Sequence, residues 1–414
     1  MQSGSSFVRA IVSIASLSAA ITLTAGDWPQ WRGPNRDGHS SDTGLLHEWP
    51  AGGPPLLWKT NGIGAGYSSV AVVNGKIFTL GDGPDSSFVH ALDAGGNHVW
   101  QAKLGRIGGG NGYPGPRCTP TVDGDLVYAL GQHGDLVCVE AATGKEAWRK
   151  NLRKDFGGAS GGWGYTESPL VDGDKMICTP GGKDGMMVAL NKKTGELLWR
   201  TKDWKDETQY SSAIIAEIGG VRQYIQLTGG SVAGVAASDG KLLWRAQRRG
   251  NTATVPTPIF HDNHVYVTSG YGVGCNLFKI TPGAEFTAEQ VYANNTMVNH
   301  HGGVILVGDY LYGFSDHNRV WICQEFKTGK MVWSNKGVGK GSITFADGHF
   351  YIRSEEGNGT VALIDGSPDG YKEKGRFGQP NRSKERSWPH PVVANGKLYL
   401  RDQDILLCYD LQSK

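Results

Sequence analysis

The stretch CVEAATGKEAW, residues 138–148, decides how this chain folds. Apolar residues alternate on either side of Thr143-Gly144, which marks two short strands joined by a tight turn, with a bulge, whose glycine supplies a positive φ. Trp148 closes the second strand, where a wide flat side chain fills space against a neighbouring sheet. The same pattern returns at ALDAGGNHVW (91–100), ALNKKTGELLW (189–199), GVAASDGKLLW (234–244) and CQEFKTGKMVW (323–333).

A second hairpin stands upstream of each copy. Its turns fall at Asn74-Gly75, Asp123-Gly124, Asp172-Gly173, Gly219-Gly220, Asp262-Asn263, Gly308-Asp309, Asp347-Gly348 and Asn395-Gly396, spaced 39 to 49 residues apart. Two hairpins per period make four strands, and the chain behind the leader shows no helical periodicity. The prediction is an all-β protein of eight four-stranded antiparallel blades set radially, a β-propeller. The last period supplies only three strands, while Leu56-Leu57-Trp58-Lys59 is an orphan outer strand carrying the repeat's own Trp. That orphan is expected to complete the eighth blade and close the ring. The expected outer-strand aromatics are then Trp58, Trp100, Trp148, Trp199, Trp244, Tyr292, Trp333 and Tyr371, with degenerate turns in the fifth and seventh copies. The propeller is assigned to residues 56–414, about 45 residues per blade.

Composition agrees with this reading. Of 414 residues 62 are Gly and 13 are Trp, so turns and large apolar side chains are plentiful and disorder is excluded. A net charge of +2 leaves no excess of either sign to drive binding to nucleic acid or anionic lipid. Residues 10–25, AIVSIASLSAAITLTA behind Arg9, read as a secretory signal peptide over 1–25, cut near Ala25. No further apolar run is long enough to span a bilayer, and no Cys follows the leader to accept a lipid. The mature chain is therefore expected to be periplasmic or secreted, and a monomer. Residues 26–55 lie outside the repeat and are expected to pack over one face of the propeller.

Cys138, Cys323 and Cys408 each stand two residues before an acidic residue, as one strand position filled three times. Buried free thiols are therefore favoured over three disulfides, and without a CxxC pair or HExxH motif no structural metal is expected. Gly158-Ala-Ser160-Gly-Gly162 matches Gly-x-Ser-x-Gly, but no helix follows to form a nucleophile elbow.

In a propeller the segments leading into the innermost strands meet at one mouth of the central channel. Here they carry Tyr67, Arg117, Tyr165, Glu167, Tyr210, His300, His301, Lys340, Trp388 and His390. Arg117, Tyr165, Tyr210, His300, His301, Lys340, Trp388 and His390 are the candidate ligand-binding residues. A polar, planar or anionic ligand would stack on Trp388 or a Tyr, pair with Arg117 and Lys340, and exchange protons with Glu167 or a His. The competing explanation is that such channels are polar and water-filled whether or not they bind anything. Adjacent His300 and His301 on a strand point to opposite faces, so at most one of them could share an ion with His390 or Glu167, and a metal is not expected.

The Ala-x-Asp-x-x-Thr-Gly-x-x-x-Trp hairpin resembles the quinoprotein repeat of eight-bladed pyrroloquinoline quinone (PQQ)-like propellers over nearly the whole chain. The DWPQWRGPNRDG opening, residues 26–38 less the first, resembles the leader of exported members of that group. The resemblance implies one of two functions. The first is a non-catalytic binding or scaffold propeller of the cell envelope, similar to the propeller lipoprotein of outer-membrane β-barrel assembly, with envelope proteins or a polar small ligand as partners. The alternative is a PQQ-dependent dehydrogenase of an alcohol or sugar, with PQQ and Ca²⁺ as cofactors and Glu167 as catalytic base. The chain departs from the dehydrogenase pattern in having no adjacent Cys-Cys pair and little room for insertions, and from the lipoprotein in lacking the acylated Cys.

Overall fold

A computed structural model of the chain describes residues 26–109 and 111–413. The signal-peptide assignment over 1–25 lies outside the described residues. Thirty-two strands form eight four-stranded antiparallel sheets, and no α-helix occurs among the described residues. In each sheet the strands follow one another from the axis outward, and neighbouring innermost strands pack together, as in residues 71–73 against 121–123. The orphan strand Leu56–Thr60 pairs with Ile405–Asp410, Trp58 opposite Cys408, and joins the two ends of the chain in one blade.

The Thr-Gly hairpins carry the expected bulge: the register shifts between Cys138 and Val139, between Ala189 and Leu190, and between Cys323 and Gln324. All six cysteines are free and buried. Cys138, Cys323 and Cys408 each stand between a Tyr and a Trp across the strands, as in Tyr128–Cys138–Trp148. Two inner turns sit one residue later than the dipeptides implied. Asp123 pairs with Leu126 and Asp172 with Lys175, so the turns are Gly124-Asp125 and Gly173-Asp174, with the glycine first.

The Trp ladder locks each blade to the next. Trp58 Nε1 donates to Ala94 O at 3.0 Å, Trp100 to Ala141 O at 3.2 Å, Trp148 to Lys192 O at 2.9 Å and Trp199 to Ala237 O at 3.3 Å. Every acceptor lies at the hairpin turn of the next blade. Trp244 breaks the series and donates to Gln223 Oε1 of its own blade, where the neighbour carries Pro282-Gly283 in place of Thr-Gly. Tyr371 does not serve as the seventh blade's outer aromatic. Gly375 stands opposite Leu363, the place Trp333 holds opposite Cys323, and Trp49 from the N-terminal extension lies over it, packing on Tyr351 and Phe377.

The turn glycines serve twice. Gly240 has φ +77°, and a Cβ there would stand 2.4 Å from the Trp199 ring. Gly173 has φ +61° but nothing within 4 Å of a Cβ. Gly173→Ala is expected to cost about 1 kcal/mol, the left-handed backbone penalty alone, and Gly240→Ala about 1–3 kcal/mol more through overpacking. Urea unfolding of both variants checks this, and equal losses would remove the stacking role from Gly240.

Residues 26–55 do more than cover a face. Trp28 exchanges backbone hydrogen bonds with Val72, Pro29 O accepts from Val122 N, and Trp31 Nε1 donates to Thr257 Oγ1 at 2.9 Å. Arg32 reaches Val304 O, Arg36 reaches Ser168 O and Pro169 O, and Ser40 N donates to Phe345 O. So short a segment meets the inner strands, or the segments leading into them, of six blades only by running across the channel axis. Its route is held by main-chain acceptors that the innermost strands leave free toward the axis.

Candidate functional site

At the end where the innermost strands begin lies a cavity of about 220 Å³. Its lining includes Trp31, Tyr67, Tyr113, Arg117, Trp163, Thr166, Ser168, Tyr210, Ser212, Tyr271, His300, His301 and Trp388. Trp31 brings the N-terminal segment into this wall. The rings form a connected aromatic surface. Tyr67 and Tyr113 lie 4.5 and 4.8 Å from Trp388, His301 5.1 Å from Trp388, His300 4.3 Å from His301 and Tyr271 4.7 Å from His300. Trp163 and Tyr210 make a second pair at 5.8 Å.

The structure therefore brings together Tyr67, Arg117, Tyr210, His300, His301 and Trp388, and places Tyr165, Glu167, Lys340 and His390 outside the lining. Tyr165 turns away, its hydroxyl donating to Pro180 O at 3.0 Å. Lys340 stands behind His300, with Nζ 3.0 Å from His300 Nδ1 and 2.9 Å from Asp316 Oδ2. His390 backs the pocket, donating from Nε2 to His301 O at 2.9 Å with its ring 4.6 Å from Trp31. Burial, with Arg32 nearby, pushes the His390 pKa down to about 3, and burial beside His301 and Lys340 takes His300 to about 2. Both imidazoles are therefore neutral at physiological pH.

His300 and His301 do not point to opposite faces. They precede the strand Val304–Val307, and without pleated alternation both rings line the same cavity. His301 Nε2 lies 3.0 Å from Glu355 Oε2. Burial acts to raise the Glu355 pKa, but the contact with His301 outweighs it and holds this carboxyl below its ordinary value. His301 Nδ1 and the Trp388 Nε1–H donor are buried and have no hydrogen-bond partner among the described residues.

Glu167 is buried in the wall behind Ser168. Its two oxygens accept from Thr179 N and Thr179 Oγ1, both at 2.6 Å. Burial raises its pKa from 4.5 to about 7, against the Thr179 hydrogen bonds and the charge of Arg36. Protonated Glu167 is thus favoured in the folded state. The group's stabilising contribution is full below pH 4.5 and is lost as pH rises to about 7, a change of about 3 kcal/mol. Glu167→Gln is expected to remove that pH dependence, so the unfolding free energy of the variant relative to wild type rises between pH 5 and pH 8. A difference that stays flat over this range contradicts the raised pKa.

Arg117 is the cation of the aromatic pocket. Its guanidinium lies 5.4 Å from the Tyr67 ring and donates to Gln132 Oε1, Trp163 O and Tyr113 O. Tyr113, Trp163, Tyr271 and Trp31 were not among the candidates read from sequence. Tyr113 and Trp163 sit in loops between blades and Tyr271 in a loop joining two strands of one blade, each beside glycine (NGYPG, GGWG, GYG), and that flanking is their one signal.

PQQ is a tricarboxylate that works with Ca²⁺ bound by several oxygens. The pocket lining holds no Asp or Glu, its guanidinium is already bonded to protein oxygens, and no cluster of three metal-ligating residues occurs among the described residues. These residues do not fit that cofactor pair, and no redox step follows from them.

A family model described as outer membrane protein assembly factor BamB matches residues 85–335, more than half of the chain. The chain belongs to this family. The quinohemoprotein alcohol dehydrogenase of Comamonas testosteroni is 31% identical over 146 residues, which is 31% of this chain and 20% of that protein. BamB of Shewanella oneidensis is 23% identical over 260 residues, 60% of this chain and 63% of that protein. The chain thus matches less than two thirds of the length of either relative. Among solved structures, BamB from Moraxella catarrhalis has a TM-score of 0.62 at 15% identity, covering 87% of this chain and 98% of that one. The Comamonas testosteroni dehydrogenase has a TM-score of 0.63 at 13% identity, covering 95% and 82%. Both structural likenesses concern the fold, a PQQ-like propeller. Among the described residues no helix is long and apolar enough to cross a membrane.

Proposed function

We propose that this protein is an exported, non-catalytic binding propeller of the cell envelope, which grips an envelope component at the aromatic mouth of its channel. Export is supported by the apolar leader at 10–25 and by the envelope role printed in the family's description. Binding is carried by one observation: the unpartnered pair formed by Trp388 Nε1–H and His301 Nδ1 on the pocket wall. Buried polar atoms are nearly always paired, so an unpaired indole N–H and an unpaired imidazole nitrogen in one aromatic pocket point to a ligand that satisfies both. Flat rings with Tyr, Ser and Thr hydroxyls among them match a molecule with apolar faces and a hydroxylated edge, which is the character of a sugar ring. Neutral His300 and the hydrogen-bonded, carbonyl-committed Arg117 hold such a ring without acting on it.

Titration of the mature protein with methyl β-cellobioside, and separately with PQQ plus Ca²⁺, tests this by tryptophan fluorescence, since Trp31, Trp163 and Trp388 all line the pocket. Saturable quenching by the disaccharide alone is the expected result. Saturation by PQQ and Ca²⁺ would overturn it in favour of the dehydrogenase reading, and silence toward both would remove the pocket as a binding site.

A further inference from the structure

Beside the aromatic pocket lies a second cavity, of about 410 Å³, lined by Arg106, Gln132, His133, Arg153, Ser160 and glycines of two loops. The two cavities are neighbours. Gly161, Gly162 and Gly164 line the second while Trp163 lines the first, and Arg117 of the first donates to Gln132 Oε1 of the second at 3.1 Å.

The chemistry of this cavity is cationic and rich in donors. Arg106 donates to His133 Nδ1 at 3.0 Å, which places that ring's proton on Nε2, 3.3 Å from Ile107 O. Arg153 donates to Ser160 Oγ and lies 5.5 Å from the Tyr165 ring. Arg106 and Arg153 are exposed, and among the described residues neither pairs with a carboxylate. The lining contains no Asp or Glu to neutralise them. Gln132 is buried, and the bond from Arg117 fixes its amide with Oε1 toward the guanidinium. Its Nε2 donor is therefore left buried and without a partner among the described residues. Two guanidinium groups without carboxylates, a hydroxyl, an unpaired amide donor and glycine backbone are the elements of an oxyanion site. The Gly-x-Ser-x-Gly sequence at 158–162 belongs to this cavity as a small-residue loop that leaves room beside Ser160.

We propose that this cavity binds the acidic group, a carboxylate or sulfate ester, of the saccharide whose ring lies in the aromatic pocket. The inference rests on the binding role assigned to that pocket and names its ligand class as an acidic saccharide.

Calorimetric titration of the mature protein compares methyl β-cellobioside, its uronic acid counterpart, its sulfate ester and sodium sulfate alone. The acidic disaccharides are expected to bind at least tenfold tighter than the neutral one, with an advantage that shrinks as salt is raised. The double variant Arg106→Gln/Arg153→Gln is expected to lose that advantage and keep the wild-type affinity for the neutral disaccharide. Equal affinities for acidic and neutral probes, or an advantage that survives the double variant, overturn the acidic site while leaving the aromatic pocket standing. Sulfate alone binding as tightly as the sulfated disaccharide overturns the link between the two cavities and leaves an adventitious ion only. If no saccharide binds, both readings fall together.

Discussion

Replacing Arg36 with leucine lowers the unfolding free energy by about 2–4 kcal/mol in urea denaturation, the cost of taking a charged donor away from buried acceptors. The guanidinium is buried at the channel axis and donates to Ser168 O at 2.7 Å, and to Pro169 O and Gln30 Oε1 at 3.0 Å. Burial lowers its pKa to about 10, so it stays charged at neutral pH, with Glu167 and Cys118 acting in the opposite direction. Leucine cannot donate: it leaves Ser168 O without that partner, at about 1–3 kcal/mol, while Pro169 O keeps the hydrogen bond from Thr121 Oγ1 at 2.6 Å. It also removes a charge that lowers the Glu167 pKa, so the pH-dependent loss of stability, which begins near pH 4.5, should extend above pH 7. A loss under about 1 kcal/mol would mean that the N-terminal segment lies on the propeller without being integrated into it.

The second large effect is on binding. Trp388→Ala removes the ring that Tyr67, Tyr113 and His301 surround, together with the unpaired Nε1–H donor. A central aromatic anchor of this kind is worth about 2 kcal/mol or more, so disaccharide affinity is expected to fall about 30-fold or further. Trp388→Phe keeps a ring and loses only the donor. Its loss should be smaller, about tenfold or less, the net worth of one neutral hydrogen bond. If the two substitutions weaken binding equally, the donor carries the interaction and stacking contributes nothing. If neither weakens it, the ligand lies elsewhere.

The propeller was legible because a repeat imposes one constraint many times. Thr-Gly turns and Trp positions recur at regular intervals, and every repeat Trp but Trp244 bonds to the next blade's turn, so periodicity and packing are a single fact. The seventh blade escaped that reading because its aromatic comes from outside the repeat, with Trp49 lying over Gly375. The site was legible in part. Segments entering the innermost strands do meet at one mouth, but equivalence along the chain does not fix the direction of a side chain. Glu167 turns to Thr179 in the wall and Tyr165 to Pro180, while Arg117 and Trp388 turn inward. His300 and His301 share a face because their segment is not pleated. The course of residues 26–40 was hidden for a different reason: its partners are mostly main-chain carbonyls, which carry no sequence signature.

A co-crystal structure of the mature protein with the uronic disaccharide tests the central claim most directly. The account predicts a sugar ring on Trp388, hydrogen-bonded to Trp388 Nε1 and His301 Nδ1, with its carboxylate facing Arg106 and Arg153. A disaccharide held at the outer blade edges, with the aromatic pocket empty, would contradict it.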